Sequence, residues 1–110
     1  MLQRLRAALE ATGYPVAEYA WSVAPAGDYI VYGADGGADF LAGNTHAETG
    51  TTGTVDLFTR DPSPTPRQTV ETALRSVRAM TWALNTIQFE EDSGYIHLEW
   101  RIGFYGNAEI

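Results

Sequence analysis

The chain has 110 residues, with 14 acidic side chains, 7 arginines, no lysine and a formal net charge of −7. Tight binding to nucleic acid or to anionic membranes needs basic side chains, so this balance argues against both partners. The chain has no cysteine, which excludes disulfides, thiolate zinc sites and cysteine nucleophiles. One domain with a modest core is expected at this length, and the lack of a long apolar run predicts a cytosolic protein.

The first third of the sequence predicts a helix followed by a β-hairpin. Leucines at helical spacing indicate a helix from Leu2 to Ala11 or Thr12. The runs Glu18–Val23 and Tyr29–Tyr32 are rich in β-forming residues, and turn-forming residues separate them. We therefore expect these two runs to pair as antiparallel strands.

Residues 33–53 are rich in glycine and carry few large apolar side chains. A segment of this length without periodicity predicts a flexible loop or arm, and two irregular strands meeting at Asn44 are the alternative. The glycines and aspartates at its start are not followed by a helix or a lysine, and they lack EF-hand spacing. Neither a phosphate site nor a calcium site is predicted there.

A proline-rich stretch separates the next strand from a second helix. Thr54–Arg60 alternates as a strand with one buried face, and the prolines that follow cannot continue its hydrogen-bond ladder. Thr65, Pro66 and Gln68 fit the N-cap, first helical and capping-box positions, so we expect a helix to begin here. Its predicted core face consists of Val70, Ala73, Leu74, Val77, Met80, Thr81 and Leu84.

The stretch EEDSGYIHLEW predicts a turn at Glu91–Gly94 between a short strand and a long strand, Tyr95–Tyr105. Alternate side chains of a strand point to opposite faces, so the apolar parity of the long strand should line the core. His97, Glu99 and Arg101 occupy the other parity. The expected fold is a single α+β domain over 1–110, with helices on one face of a mostly antiparallel sheet and a long glycine-rich loop between strands.

Two kinds of chemistry can be drawn from the acids and histidines. A zinc or manganese site would combine His97 and Glu99 with His46, Glu48 and Glu90, yet any alternating strand spaces polar residues by two. Ordinary cross-strand pairs are the favoured alternative. A carboxylate pair for acid/base chemistry would come from Glu90, Glu91, Asp92 and Glu99, but no apolar pocket is predicted around them. No catalytic, cofactor or metal site is therefore predicted.

Tyrosine and tryptophan are the remaining distinctive feature. The chain has 6 tyrosines and 3 tryptophans, more than one small core easily hides. Aromatic side chains are enriched in buried interface centres. This composition favours an interaction protein over an enzyme.

The segments YIVYGADGG, GTVDLFTRD and FEEDSGYIHLEW, with a helix between the last two, resemble the small tail-completion or tail-terminator proteins of long-tailed bacteriophages and prophages. The resemblance covers about Tyr14 to Tyr105. It implies a non-enzymatic structural protein that forms a ring, typically of six subunits, on the tail tube and joins it to the head connector. The implied partners are other copies of the chain, the major tail tube protein and a head-completion protein, with DNA passing through without tight binding.

The resemblance also implies a location in the virion tail, after assembly in the bacterial host cytoplasm. The loop at 33–53 would face the ring lumen or a neighbouring subunit, through Gly36, Gly37, Asp39, Asn44 and His46. The candidate exposed sheet face consists of His97, Glu99 and Arg101. Two alternatives stay open: a small metal-dependent or hydrolytic enzyme using His97 and Glu99, and a generic α+β protein-binding module.

Overall fold

The computed structural model describes residues 2–36 and 50–105. Within them lie two helices and a five-stranded sheet, which confirms the α+β class. Neither described helix is long and apolar enough to cross a membrane. The elements in chain order are α1 (Gln3–Glu10), β1 (Val16–Glu18), β2 (Tyr29–Gly36), β3 (Gly50–Thr59), α2 (Thr65–Arg75), β4 (Met80–Phe89) and β5 (Ile96–Tyr105).

The sheet order is β1-β2-β3-β5-β4, and every pairing except β1 with β2 is antiparallel. The mostly antiparallel sheet is therefore confirmed, but the predicted first hairpin is wrong. β1 pairs with β2 in parallel, with Val16 opposite Ile30. The chain leaves the sheet at Tyr19, which has a φ of 68° and donates its N–H to the Tyr32 carbonyl at 2.7 Å. Trp21 and Val23 consequently lie outside the strand in which they were predicted.

β2 and β3 extend into the segment predicted as a loop. Gly33 pairs with Thr54, Ala34 with Gly53, and Gly36 with Thr52. The predicted boundaries at 33 and 53 are therefore wrong, because glycine and threonine conceal the alternation that larger apolar side chains would reveal. The candidate residues Gly37, Asp39, Asn44 and His46 lie outside the described residues.

α2 is shorter than the sequence pattern predicts. It ends at Arg75, Ala79 has a φ of 58°, and β4 begins at Met80. The spacing of Met80 and Leu84 fits a helix and a strand equally well, and pairing with β5 decides in favour of the strand. The capping box is also wrong, because Pro64 is the N-cap residue and has no side-chain hydrogen-bonding group.

One face of the sheet contributes to a core cluster that also contains both helices. Leu5 and Leu9 from α1 and Val70 and Leu74 from α2 are fully buried in it. Trp100 is also fully buried, and its Nε1 donates to Glu71 Oε2 at 3.0 Å. The strand residues of the cluster alternate in β3 and β5, as predicted: Val55, Leu57, Leu98, Trp100, Ile102 and Phe104.

Candidate functional site

The sheet face opposite the core, which we call the outer face, carries the polar side chains of the central strands. In β5, His97, Glu99 and Arg101 alternate with buried Leu98, Trp100 and Ile102. Directly opposed residues of paired strands share a face, so Phe58 joins His97 and Asp56 joins Glu99. The described strands therefore gather these five side chains on one surface.

His97 is the most strongly held polar side chain of the outer face. Its Nε2 lies 2.7 Å from Asp56 Oδ1, and its Nδ1 lies 3.7 Å from Glu90 Oε2. The imidazole stacks on Phe58 with the ring centroids 4.2 Å apart, and its side chain is 23% exposed. The hydrogen bond to Asp56 raises the pKa of His97, and the negative charges of Asp56, Glu90 and Glu99 add to this while burial opposes it.

The other two candidate residues of β5 contact side chains of β4 and β2. Glu99 Oε1 accepts a hydrogen bond from Asn85 Nδ2 at 2.9 Å. Arg101 Nη1 lies 3.5 Å from Asp35 Oδ2. The other carboxylate oxygen of Asp35, Oδ1, accepts a hydrogen bond from Thr52 Oγ1 at 2.8 Å. Glu99 thus makes a cross-strand contact of the kind that the sequence offered as the alternative to a metal site, whereas Arg101 reaches past β3 to a more distant strand.

Within residues 2–36 and 50–105, no three histidine, aspartate or glutamate side chains are arranged to hold a metal ion. His46 and Glu48 fall in the part of the chain that the structure does not describe. Glu91 and Asp92 are exposed on the predicted turn, which the hydrogen bond from the Gly94 N–H to the Glu90 carbonyl at 2.8 Å closes. Both carboxylates are exposed, whereas the general acid of a carboxylate pair is enclosed by apolar side chains.

Aromatic rings cover one end of the outer face. Tyr29 stacks on Phe58 at a centroid distance of 4.8 Å and meets Tyr95 edge to face at 5.5 Å. Trp21 contacts Tyr29 in a similar perpendicular arrangement at 6.3 Å. Several of the many aromatic side chains noted in the sequence thus pack against one another within a single chain.

Arg60 ties three segments together beside these rings. Its guanidinium carbon lies 3.9 Å from the Tyr95 ring centroid, while Nη1 donates to the Ala26 carbonyl at 2.9 Å and Nε to the Ser93 carbonyl at 3.1 Å. Sequence reasoning assigned no role to Arg60, Asp56 or Phe58. The sequence does contain a sign of Asp56 and Phe58. In the predicted strand Thr54–Arg60 they share one parity, and the residues of the other parity are expected to be buried.

The second surface of interest is the edge strand β4, which is terminal in the sheet that the described residues form. Its sequence, MTWALNTIQF, has no charged residue and no proline. Ile87 and Phe89 oppose Leu98 and Ile96 and so share the core-side face, yet they are 53% and 64% exposed. Natural edge strands usually carry charges or proline that discourage pairing with another chain, so an uncharged edge of this length is a candidate contact surface.

Comparison with models of known protein families finds no match for this chain, and comparison with curated proteins finds no similar sequence. Function is therefore inferred from the motifs and from the two surfaces described above.

The raised pKa of His97 predicts a pH-dependent contribution to stability. Protonated His97 binds Asp56 more strongly, so this contribution is fully present below about pH 6.5 and is lost as the pH rises through the higher pKa of the folded protein. We expect the stability difference between the native chain and His97→Gln to shrink over that range. Urea unfolding from pH 5.5 to 9 measures it.

Asp56→Asn is the matched control, because it keeps the imidazole but removes the principal cause of the pKa shift. NMR titration of the imidazole protons should give a lower pKa for His97 in this variant. An unchanged pKa would contradict the role assigned to Asp56.

Proposed function

We propose that this chain is a structural component of a phage tail, which forms a ring that terminates or completes the tail tube and joins it to the head connector. The observation that carries the proposal is the position of the resembling segments. Residues 29–36 of YIVYGADGG form β2, GTVDLFTRD covers the second half of β3 and the two residues after it, and FEEDSGYIHLEW runs from the end of β4 into β5. The resemblance therefore follows neighbouring strands at the centre of the sheet, with the α2 segment between the last two.

The negative charge of the outer face supports the proposal that DNA passes this protein without binding tightly. Asp35, Asp56, Glu90 and Glu99 contribute carboxylates to this side, while Arg101 lies close to Asp35 and His97 is bonded to Asp56. Basic side chains left free to neutralise phosphates give tight DNA binding, whereas carboxylates repel phosphates. An acidic surface of this kind suits a ring lumen through which DNA passes.

The partners follow from the same proposal: further copies of the chain, the major tail tube protein and a head-completion protein. The enzyme alternative is less well supported, since both ring nitrogens of His97 face carboxylates: Nε2 lies 2.7 Å from Asp56, and Nδ1 lies 3.7 Å from Glu90. A hydrolase would need one of these groups poised beside an open site. A generic protein-binding module differs from the proposal only in its partner, and the following experiment tests whether the tail tube is that partner.

The test combines the purified chain with tubes assembled from a major tail tube protein of the same genome. Negative-stain electron microscopy should show a ring at one tube end and a narrower distribution of tube lengths. Tubes from an unrelated phage serve as the control and should stay uncapped. Uncapped cognate tubes, with the chain remaining free in light scattering, would overturn the proposal.

A further inference from the structure

The β4 edge has one further property that points to a specific partner. Its two exposed apolar side chains, Ile87 and Phe89, lie on the core-side face, whereas Gln88 between them belongs to the opposite face. A partner strand that complements this edge must therefore carry apolar groups on the same side and an uncharged polar group on the other. β4 of a second copy has this pattern.

We propose that the β4 edge pairs with β4 of a second copy of this chain, antiparallel and about a two-fold axis at Gln88. This inference does not depend on the proposed tail function. Antiparallel pairing about an axis perpendicular to the sheet keeps the core-side faces of both copies on the same side. Ile87 then lies opposite Phe89 of the partner subunit, and Phe89 opposite Ile87 of the partner subunit.

The aliphatic–aromatic pairs are of a kind that stabilises antiparallel sheets. Gln88 meets its own symmetry copy, and Thr86 lies opposite Glu90 of the partner subunit. β4 has an irregularity between Leu84 and Thr86, which confines regular pairing to the C-terminal half of the strand. The joined sheet would contain ten strands, five from each copy.

Charge and strand length favour the β4 edge over the β1 edge as the place where two copies meet. Each copy has a net charge of −7, so two copies repel unless they meet through a surface of low charge. β4 carries no charged residue, and the one acid in the proposed register, Glu90, lies opposite the uncharged Thr86 of the partner subunit. β1, at the other end of the sheet, offers only 3 residues and follows Pro15. The proposed register joins five residues of each copy, from Thr86 to Glu90. So short a contact buries less than the roughly 1,000 Å² of a stable interface, so the dimer should be weak and concentration-dependent.

The natural absence of cysteine permits a direct test by single-cysteine cross-linking. In the Gln88→Cys variant, the two cysteines lie directly opposite each other across the two-fold axis, with their Cα atoms about 4.5–5.5 Å apart. This lies within the Cα separation of about 4.4–6.8 Å that disulfides require. Under mild oxidation, this variant should form covalent dimers at least roughly tenfold faster than a variant whose cysteines meet only by random collision. Val23→Cys is that control, because Val23 is 82% exposed and lies far from the edge strand in sequence.

Thr81→Cys gives a second control on the same strand, in the half that the proposed register leaves unpaired. Equal cross-linking rates for Gln88→Cys and the two controls would overturn the proposal. Faster cross-linking of Thr81→Cys would also overturn it, because the register would then be different.

Sedimentation of the cysteine-free chain provides the independent measurement. The native chain should show a monomer–dimer equilibrium that Ile87→Lys shifts toward monomer and Val23→Lys leaves unchanged, with circular dichroism confirming that both variants fold. A native chain that stays monomeric at every concentration overturns the inference. If such a monomer still caps tail tubes, the proposed function survives and only the β4 dimer fails.

Discussion

Replacing Trp100 by alanine should lower the free energy of unfolding by about 3–5 kcal/mol. Trp100 is fully buried in the cluster that the helices and the sheet share, and it pairs with Val55 and Leu84 on either side. Alanine removes the indole's contacts and leaves Glu71, which is only 16% exposed, without the Nε1 donor. A loss of this size is a large part of the roughly 5–15 kcal/mol by which small domains are stable.

Urea denaturation followed by circular dichroism measures this loss, since the fluorescence of the remaining tryptophans would differ between variants. Trp82→Ala is the matched control: the same side chain is removed from the edge strand, where Trp82 is only partly buried beneath the Arg75 guanidinium at 5.4 Å. We expect a clearly smaller loss there. Equal losses for the two variants would show that the central position of Trp100 does not dominate the core.

Trp100 lies next to both the outer face and the β4 edge. Its neighbours in β5, Glu99 and Arg101, project to the outer face, and its partner Leu84 stands just before the irregularity in β4. Closely packed interiors transmit changes in volume to adjacent backbone. A rigid core beneath β5 therefore keeps both the carboxylates of the outer face and the edge of β4 in fixed positions, as the proposed ring and the proposed β4 dimer would both require.

Elements with strong alternation or a clear helical stripe could be predicted from the sequence. β5 has five apolar residues at one parity, and both its strand character and its core face were predicted because no other period fits them. α1 was predicted for the same reason, from leucines on one helical face that are now found buried. His97, Glu99 and Arg101 could be assigned to a common face, although their partners could not.

The remaining features depend on contacts between segments distant in the chain. Met80, Thr81 and Leu84 fit one face of a helix until their pairing with Phe104, Gly103 and Trp100 is known. The parallel pairing of β1 depends on the reversal at Tyr19, and Asp56 reaches His97 from another strand. Tertiary pairing of this kind overrides local propensity, which is why the first hairpin, the length of α2 and the partner of His97 were not predicted.

The glycine-rich segment was also misassigned at its ends, and Gly53 shows the physical reason. A Cβ atom at Gly53 would lie 2.3 Å from the Gly33 carbonyl oxygen and 3.1 Å from the Ala34 Cα. Glycine here allows the close approach of β2 and β3, and it does not mark a loop.

Gly53→Ala should therefore force the two backbones apart and lower the free energy of unfolding by about 2–3 kcal/mol, because main-chain atoms cannot move aside as a flexible side chain can. Gly27→Ala is the matched control: among the described residues, no heavy atom beyond its chain neighbours lies within 4 Å of its added Cβ, so its effect should stay within about 0.5 kcal/mol. Urea unfolding compares the two variants, and hydrogen exchange should show faster exchange in the Gly53→Ala variant at amides of β2. Equal stability of both variants would contradict the close approach and with it the strand assignment of residues 33–36 and 50–53.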